Sequence, residues 1–141
     1  MRKSRIVIVL FFGLVLLSGC ARLDAGLIEV KESCRVTNNS GVCSGTMQEV
    51  RNENVKVYSD IFTDPQQYGF LNLAISIETG ELQVEVFQYG GTWVSFNVTP
   101  EEPGSFSGWI NADSDGHFAI KYKQVGNRAV KNVIYNFDLQ Q

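Results

Sequence analysis

The chain of 141 residues has one histidine, His117, and only three cysteines and three prolines. A single histidine cannot build a histidine-rich zinc site, and no nucleophile motif accompanies it. Basic residues form no stripe, since 12 lysines and arginines stand against 15 acidic residues. Nucleic-acid binding needs clustered positive charge. The composition therefore argues against a nucleic-acid partner and against catalysis. We expect that the protein binds no cofactor and is not an enzyme.

Long apolar runs are missing except near the N-terminus. Ile6 to Leu17 is an apolar stretch of 12 residues that follows Arg2, Lys3 and Arg5. A helix needs roughly 17 to 25 residues to cross a hydrocarbon core, so this stretch is too short to span a membrane. A cationic start, a short apolar run and small residues after it are typical of a signal peptide.

An aliphatic residue, two small residues and a cysteine end this segment, as Leu17-Ser18-Gly19-Cys20. The four residues resemble the lipobox of bacterial lipoproteins, and the resemblance covers residues 1–20 only. It implies cleavage before Cys20 and lipidation of its thiol, and more than one acyl chain anchors stably. Ala21, where the family's sorting pattern has aspartate for inner-membrane retention, favours the outer membrane. The alternative is an ordinary signal peptide cleaved nearby, with Cys20 incidental.

Cleavage at this point divides the chain into three parts. Residues 1–19 are the signal peptide, residues 20–26 are the lipidated cysteine with a short tether, and residues 27–141 are one folded domain. The removed segment holds three basic and no acidic residues, so the net charge falls from -3 to about -6. The tether of residues 21–26 reaches at most ~20 Å when extended, so we expect the domain to lie close to the bilayer.

Cys34 and Cys43 remain as a pair once Cys20 carries lipid. If Asn38-Asn39 is a two-residue hairpin turn, counting outward places Cys34 opposite Cys43, within disulfide range. A turn displaced by one residue would change this register. An oxidising compartment permits the bond, and the Cys-x8-Cys spacing fits neither a redox pair nor a zinc site. We therefore predict a structural disulfide.

Period-2 alternation of apolar and polar residues dominates the chain after Phe70. It runs from Leu71 to Glu78 and again from Leu82 to Val86, with Thr79-Gly80 between, which predicts an antiparallel hairpin. Further strand patterns follow at 94–98, 105–112, 118–123 and 133–139. Strands separated by Gly-rich turns predict an all-β fold, an antiparallel β-sandwich of jelly-roll type behind a helical signal peptide. Only residues 60–68 suggest a short helical turn.

Asn111, Asp113 and Asp115 occupy alternate positions before Gly116, as at the start of a calcium-binding loop. The twelfth position of such a loop should be glutamate and is Tyr122. The flanking patterns also predict strands rather than helices. We interpret the segment as an Asx-rich hairpin turn, with a calcium site as the weaker alternative.

Tyr89, Trp93 and Trp109 are the candidates for an aromatic platform that binds a sugar or a peptide. Trp93 lies out of phase with the apolar residues of its strand and is expected to face solvent. Packing in the core or at its rim is the commoner role for such rings.

Two functions are consistent with these features. The main hypothesis is a lipid-anchored binding or structural protein of the bacterial cell envelope, with the membrane and an envelope protein as partners. The alternative is a carbohydrate-binding jelly-roll module at the cell surface, with the three aromatic residues as the binding platform for a glycan.

Overall fold

The structure is a computed structural model that describes residues 26–38, 40–59, 61–62, 67–88 and 92–141. Cys20, Tyr89 and most of the segment 60–68 lie outside these residues. Among the described residues there is no helix long and apolar enough to cross a membrane. The strands are β1 (Leu27–Thr37), β2 (Ser40–Val50), β3 (Glu53–Tyr58), β4 (Tyr68–Ser76), β5 (Leu82–Gln88), β6 (Thr92–Val98), β7 (Gly104–Asn111), β8 (Phe118–Gln124) and β9 (Val130–Gln140).

The strands form two antiparallel layers, as the alternation predicts. The first sheet has the order β1-β2-β9-β4-β7, and the second has the order β6-β5-β8-β3. One residue pair, Gln88 with Ile110, joins strands β5 and β7 at a corner between the layers. Such a closed corner leaves fewer free edges and is typical of a β-sandwich of jelly-roll type.

The core lies between the two sheets and takes alternate residues of nearly every strand. In β4, Leu71, Leu73 and Ile75 are buried, whereas Asn72 and Ala74 are exposed, as predicted. Large side chains that are less than 2% exposed come from both layers: Met47, Leu71, Ile75, Leu82, Ile110, Ile120, Tyr122, Tyr135, Phe137 and Leu139. Burial of each large apolar side chain contributes roughly 1.5 to 3 kcal/mol, so this shared interior holds the layers together.

The predicted disulfide hairpin is confirmed. In the β1–β2 register Thr37 pairs with Ser40 and Cys34 pairs with Cys43. The two cysteines are bonded, with their Cα atoms 4.1 Å apart. Because Cys43 is fully buried and Cys34 belongs to an edge strand, the bridge fastens the edge of the first sheet to its interior.

Two predicted hairpins are wrong. Strand β4 pairs with β7 and β9, whereas β5 belongs to the other sheet. The turn at Thr79-Gly80 is held by the start of β9, since Thr79 pairs with Lys131 and its hydroxyl donates to the carbonyl of Ala129 at 3.2 Å. Gly80, with φ of 88°, then carries the chain across to the second sheet.

The segment after β7 is likewise a crossing and not a hairpin, because β7 pairs with β4 while β8 pairs with β3 and β5. Local turn chemistry signals that the chain changes direction, but it does not say which sheet receives the next strand.

Candidate functional site

On the outer face of the first sheet, side chains of neighbouring strands align in rows that run across the strands. The register aligns Trp109 with Phe70 and Gln140, and the next row aligns Ser107 with Asn72 and Asp138. Further rows follow toward the other end of the sheet: Ser105, Ala74, Asn136 and Ser44, and then Ser76, Ile134, Thr46 and Lys31. We call this surface the first outer face.

Three rings cluster at one end of the first outer face. The ring centroids of Tyr68 and Trp109 are 5.7 Å apart at 68°, and those of Phe70 and Trp109 are 5.4 Å apart at 81°. Neither neighbour lies parallel over the indole. Trp109 is 49% exposed and Tyr68 is 56% exposed. The aromatic group of Tyr68, Phe70 and Trp109 therefore presents flat apolar area to solvent at a fixed position.

Hydroxyl and amide side chains adjoin this aromatic group. Ser107 donates a hydrogen bond of 2.7 Å to the amide oxygen of Asn72, and the Gln140 amide donates one of 3.1 Å to Asp138. These bonds orient the remaining donors and acceptors toward solvent without large side-chain motion. On the next two rows the exposed polar residues are the small, uncharged Ser105, Asn136, Ser44 and Thr46, together with Lys31 on the edge strand β1.

Trp93 lies elsewhere, on the outer face of the second sheet, where it faces solvent as predicted with 44% of its surface exposed. One side of its indole is covered, because the Lys121 ammonium sits 4.4 Å from the ring centroid. Lys121 is in turn 3.3 Å from the Glu85 carboxylate, and the Phe87 ring lies 5.1 Å from that of Trp93. One face of the Trp93 indole is thus engaged by a cation–π contact.

The proposed platform of three rings is therefore divided. Trp93 and Trp109 belong to different sheets, and no ring contact joins them within the described part of the chain. Tyr89 is outside the described residues. Sequence reasoning missed Tyr68 and Phe70, because Phe70 reaches Trp109 only through the pairing of β4 with β7. The alternation in β4, which puts Phe70 on the same side as Asn72 and Ala74, was the one signal in the sequence that this ring faces outward.

The segment 111–117 is built as a turn around Asp113. The Asp113 carboxylate accepts hydrogen bonds from the backbone N–H groups of Asp115 at 2.8 Å and His117 at 2.9 Å. These donors, with His117 the strongest, hold the pKa of the Asp113 carboxyl below its usual range. Ligand atoms of Asp113, Asp115 and His117 lie within 4.8 Å of one another. Both acids are exposed, and the carboxylate that would bind calcium already stabilises the turn.

A second polar cluster lies where the edge strands β1 and β3 of the two sheets approach each other. The Glu32 carboxylate accepts hydrogen bonds from the hydroxyls of Tyr58 and Tyr135, and Lys56 Nζ lies 3.0 Å away. Burial raises the pKa of the Tyr58, Tyr122 and Tyr135 phenols, so all three stay neutral. Glu32, Lys56, Tyr58 and Tyr135 thus bind one another across both layers, which is the arrangement of a structural clasp. The buried hydroxyl of Tyr122 has no hydrogen-bond partner among the described residues.

Comparison with known proteins gives no family: no family model and no curated protein matches the chain. Among solved structures, peruvianin-I, a cysteine peptidase from Thevetia peruviana latex, shares 11% identity at a TM-score of 0.43, over 84% of this chain and 64% of that one. The chain thus spans less than two thirds of that peptidase.

Two shorter structures are similar over most of their own length. BiXyn10A CBM1 in its apo form shares 10% identity at a TM-score of 0.42, over 79% of this chain and 90% of that one. The CBM22-1 xylan-binding domain of Paenibacillus barcinonensis Xyn10C shares 11% identity at a TM-score of 0.40, over 79% of this chain and 81% of that one. Likeness of this degree assigns no activity, so function has to be argued from the chain's own side chains.

Proposed function

We propose that the chain is a lipid-anchored carbohydrate-binding module that holds a neutral polysaccharide on its first outer face. The observation that carries this proposal is the aromatic group of Tyr68, Phe70 and Trp109 beside rows of hydroxyl and amide side chains. Sugar rings present C–H groups on their faces and hydroxyls around their rims. A surface of flat aromatic area with adjacent neutral hydrogen-bonding groups matches both.

The charge pattern of this surface favours an uncharged ligand. The residues nearest the aromatic group are Asn72, Ser107 and Gln140, and the one acid beside them, Asp138, accepts a hydrogen bond from Gln140. Binding of an acidic polymer requires clustered cations, which this end of the face does not offer among its described residues. A neutral polymer meets no such requirement.

The test is retention of the full chain, in detergent, on a panel of insoluble neutral and acidic polysaccharides. One of the similar structures is a xylan-binding domain, which makes xylan a first polymer to include. We expect retention on a neutral polymer, and Trp109→Ala should weaken it by roughly tenfold, equivalent to ~1.4 kcal/mol. The matched control is Trp93→Ala, which should bind as the wild type does. Failure to bind any polymer, together with capture of an envelope protein by crosslinking, would replace this proposal with a protein-binding one.

The anchor belongs to the same proposal and rests on Leu17-Ser18-Gly19-Cys20. A diacylated cysteine would hold the module at a membrane surface, and the short tether would keep the domain near it. Cys20→Ser should move the protein from the detergent phase to the aqueous phase. Ala21→Asp should keep it lipidated but shift it from the outer to the inner membrane. Detergent partitioning of the Cys20→Ser chain equal to that of the wild type would refute the anchor.

A further inference from the structure

A depression of about 330 Å³ lies on the first outer face, at the end opposite the aromatic group. The exposed residues that line it come from β1, β2 and β9: Glu29, Lys31, Thr46, Gln48, Asn132 and Ile134. Gln140 aligns with the aromatic group and Asn132 with the depression, and both belong to β9. Eight residues of strand at ~3.3 Å each separate the two by ~26 Å.

The depression arises where three neighbouring strands are irregular in one row. In the β1–β2 register, Glu29 and Gln48 are left unpaired, although the residues before and after them are paired. In the β2–β9 register, Gln48 and Asn132 are left unpaired in the same way. The residues on either side of Gln48, Glu29 and Asn132, have φ of 46° and 51°, in the left-handed region. Such a conformation costs a non-glycine residue roughly 1 to 2 kcal/mol.

This irregularity has an inner and an outer consequence. On the core side of the sheet, the alternation of buried and exposed residues in β2 shifts by one position. Met47 and Val50 are therefore both buried, although two residues lie between them. Outside, the irregularity opens a concave site on a sheet face that is otherwise formed by regular strands. Backbone strain of this kind is retained where the surrounding structure holds it and where it serves a site.

The lining groups suit a hydroxyl-bearing ligand without net charge. Gln48 and Asn132 are exposed amides, Thr46 is an exposed hydroxyl, and the Asn132 amide donates to the Glu78 carboxylate. Within the lining, Lys31 balances Glu29 in formal charge. Amides that both donate and accept are the groups that recognise vicinal hydroxyls.

We infer that this depression is a second sugar subsite on the same track, so that the first outer face binds an extended neutral glycan several residues long. The inference rests on the proposed function, because a single ligand chain must reach from the aromatic group to Gln48. Between the two ends, β9 presents Asp138, Asn136 and Ile134 on this face, beside the small residues Ser105, Ala74 and Ser44.

The test compares a disaccharide with a hexasaccharide of the neutral polymer that the panel identifies, on Gln48→Ala and on Asn132→Gly. Glycine adopts positive φ freely, so Asn132→Gly removes the amide while preserving the backbone. We expect both variants to bind the hexasaccharide roughly five- to tenfold more weakly and the disaccharide unchanged, the loss expected from one or two hydrogen bonds. Trp109→Ala should weaken both ligands.

If Trp109→Ala weakens binding but Gln48→Ala and Asn132→Gly bind both ligands as the wild type does, the second subsite is wrong and the proposed function stands. If no neutral glycan of either length binds the wild-type chain, both fail. Equal affinity of the wild type for the two lengths would also overturn the extended track.

Discussion

The carboxylate of Glu32 lies 3.0 Å from the ammonium of Lys56, and this ion pair joins the edge strand β1 of one sheet to the edge strand β3 of the other. The side chains are 20% and 19% exposed, so solvent screens the pair only in part. The hydroxyls of Tyr58 and Tyr135 complete the arrangement from the two layers. The clasp therefore closes the side of the sandwich that is not closed by strand pairing.

Glu32→Gln should lower the free energy of unfolding by about 2 kcal/mol, because it removes charge-assisted bonds and leaves Lys56 without its counter-charge. Urea unfolding followed by circular dichroism measures this. Glu53→Gln, an exposed acid on the same edge strand as Lys56, is the matched control and should change stability by less than about 0.5 kcal/mol. Equal stability of the two variants would show that the clasp contributes nothing.

Alkaline pH should unfold the domain cooperatively. The pKa values of Tyr58, Tyr122 and Tyr135 are raised chiefly by burial, so the folded state keeps protons that the unfolded chain loses above pH ~10. Their contribution is thus complete below pH ~10 and is lost as the pH rises further, by up to ~1.4 kcal/mol per pH unit for each phenol. Tyrosinate absorbance at 295 nm, followed alongside circular dichroism, measures this. Ionisation of these three phenols while the sheet signal persists would contradict the prediction.

Gly45 is needed because its neighbour Tyr135 occupies the space of a side chain. A Cβ at this position would lie 2.5 Å from Tyr135 Cζ and 2.9 Å from the carbonyl oxygen of Lys31. Gly45→Ala should therefore cost roughly 1 to 3 kcal/mol, as overpacking of a core does. Ser44→Ala, one residue away on the outer face, should be nearly neutral, and thermal unfolding of the two variants side by side measures the difference. A Gly45→Ala variant as stable as Ser44→Ala would disprove the close approach.

Reduction of the Cys34–Cys43 bond should lower the free energy of unfolding by roughly 2.5 to 3 kcal/mol on the chain-entropy model. Unfolding with and without dithiothreitol measures the effect, and intact mass confirms the redox state. In the double variant Cys34→Ala, Cys43→Ala the reductant should have no effect. If the reductant destabilises the wild type and this variant equally, the effect does not come from the bridge.

Several features of the fold could be predicted because they are local. The Cys34–Cys43 pairing follows from counting outward from one turn, and the exposure of Trp93 follows from its phase within one strand. The partner strand of β4 could not be predicted in this way, because Thr79-Gly80 signals a turn and the choice of sheet depends on the start of β9.

The candidate site required the same long-range information. Phe70 and Trp109 share a row only because β4 pairs with β7, and nothing in either strand specifies the other. Likewise, the bond from Tyr135 to Glu32 links residues 103 positions apart. The irregular row at Gln48 was hidden for a different reason, since a change of phase between Met47 and Val50 does not by itself indicate positive φ at Glu29 and Asn132 on the neighbouring strands.

The chain has two tryptophans, so the location of glycan binding can be measured by fluorescence with one indole at a time. In Trp93→Phe only Trp109 emits. Saturation with the neutral glycan should shift the emission maximum of Trp109 and reduce its quenching by acrylamide. In Trp109→Phe only Trp93 emits, and the same glycan should leave its spectrum unchanged. A spectral change that follows Trp93, or no change in either variant at a concentration that saturates the wild type, would contradict binding on the first outer face.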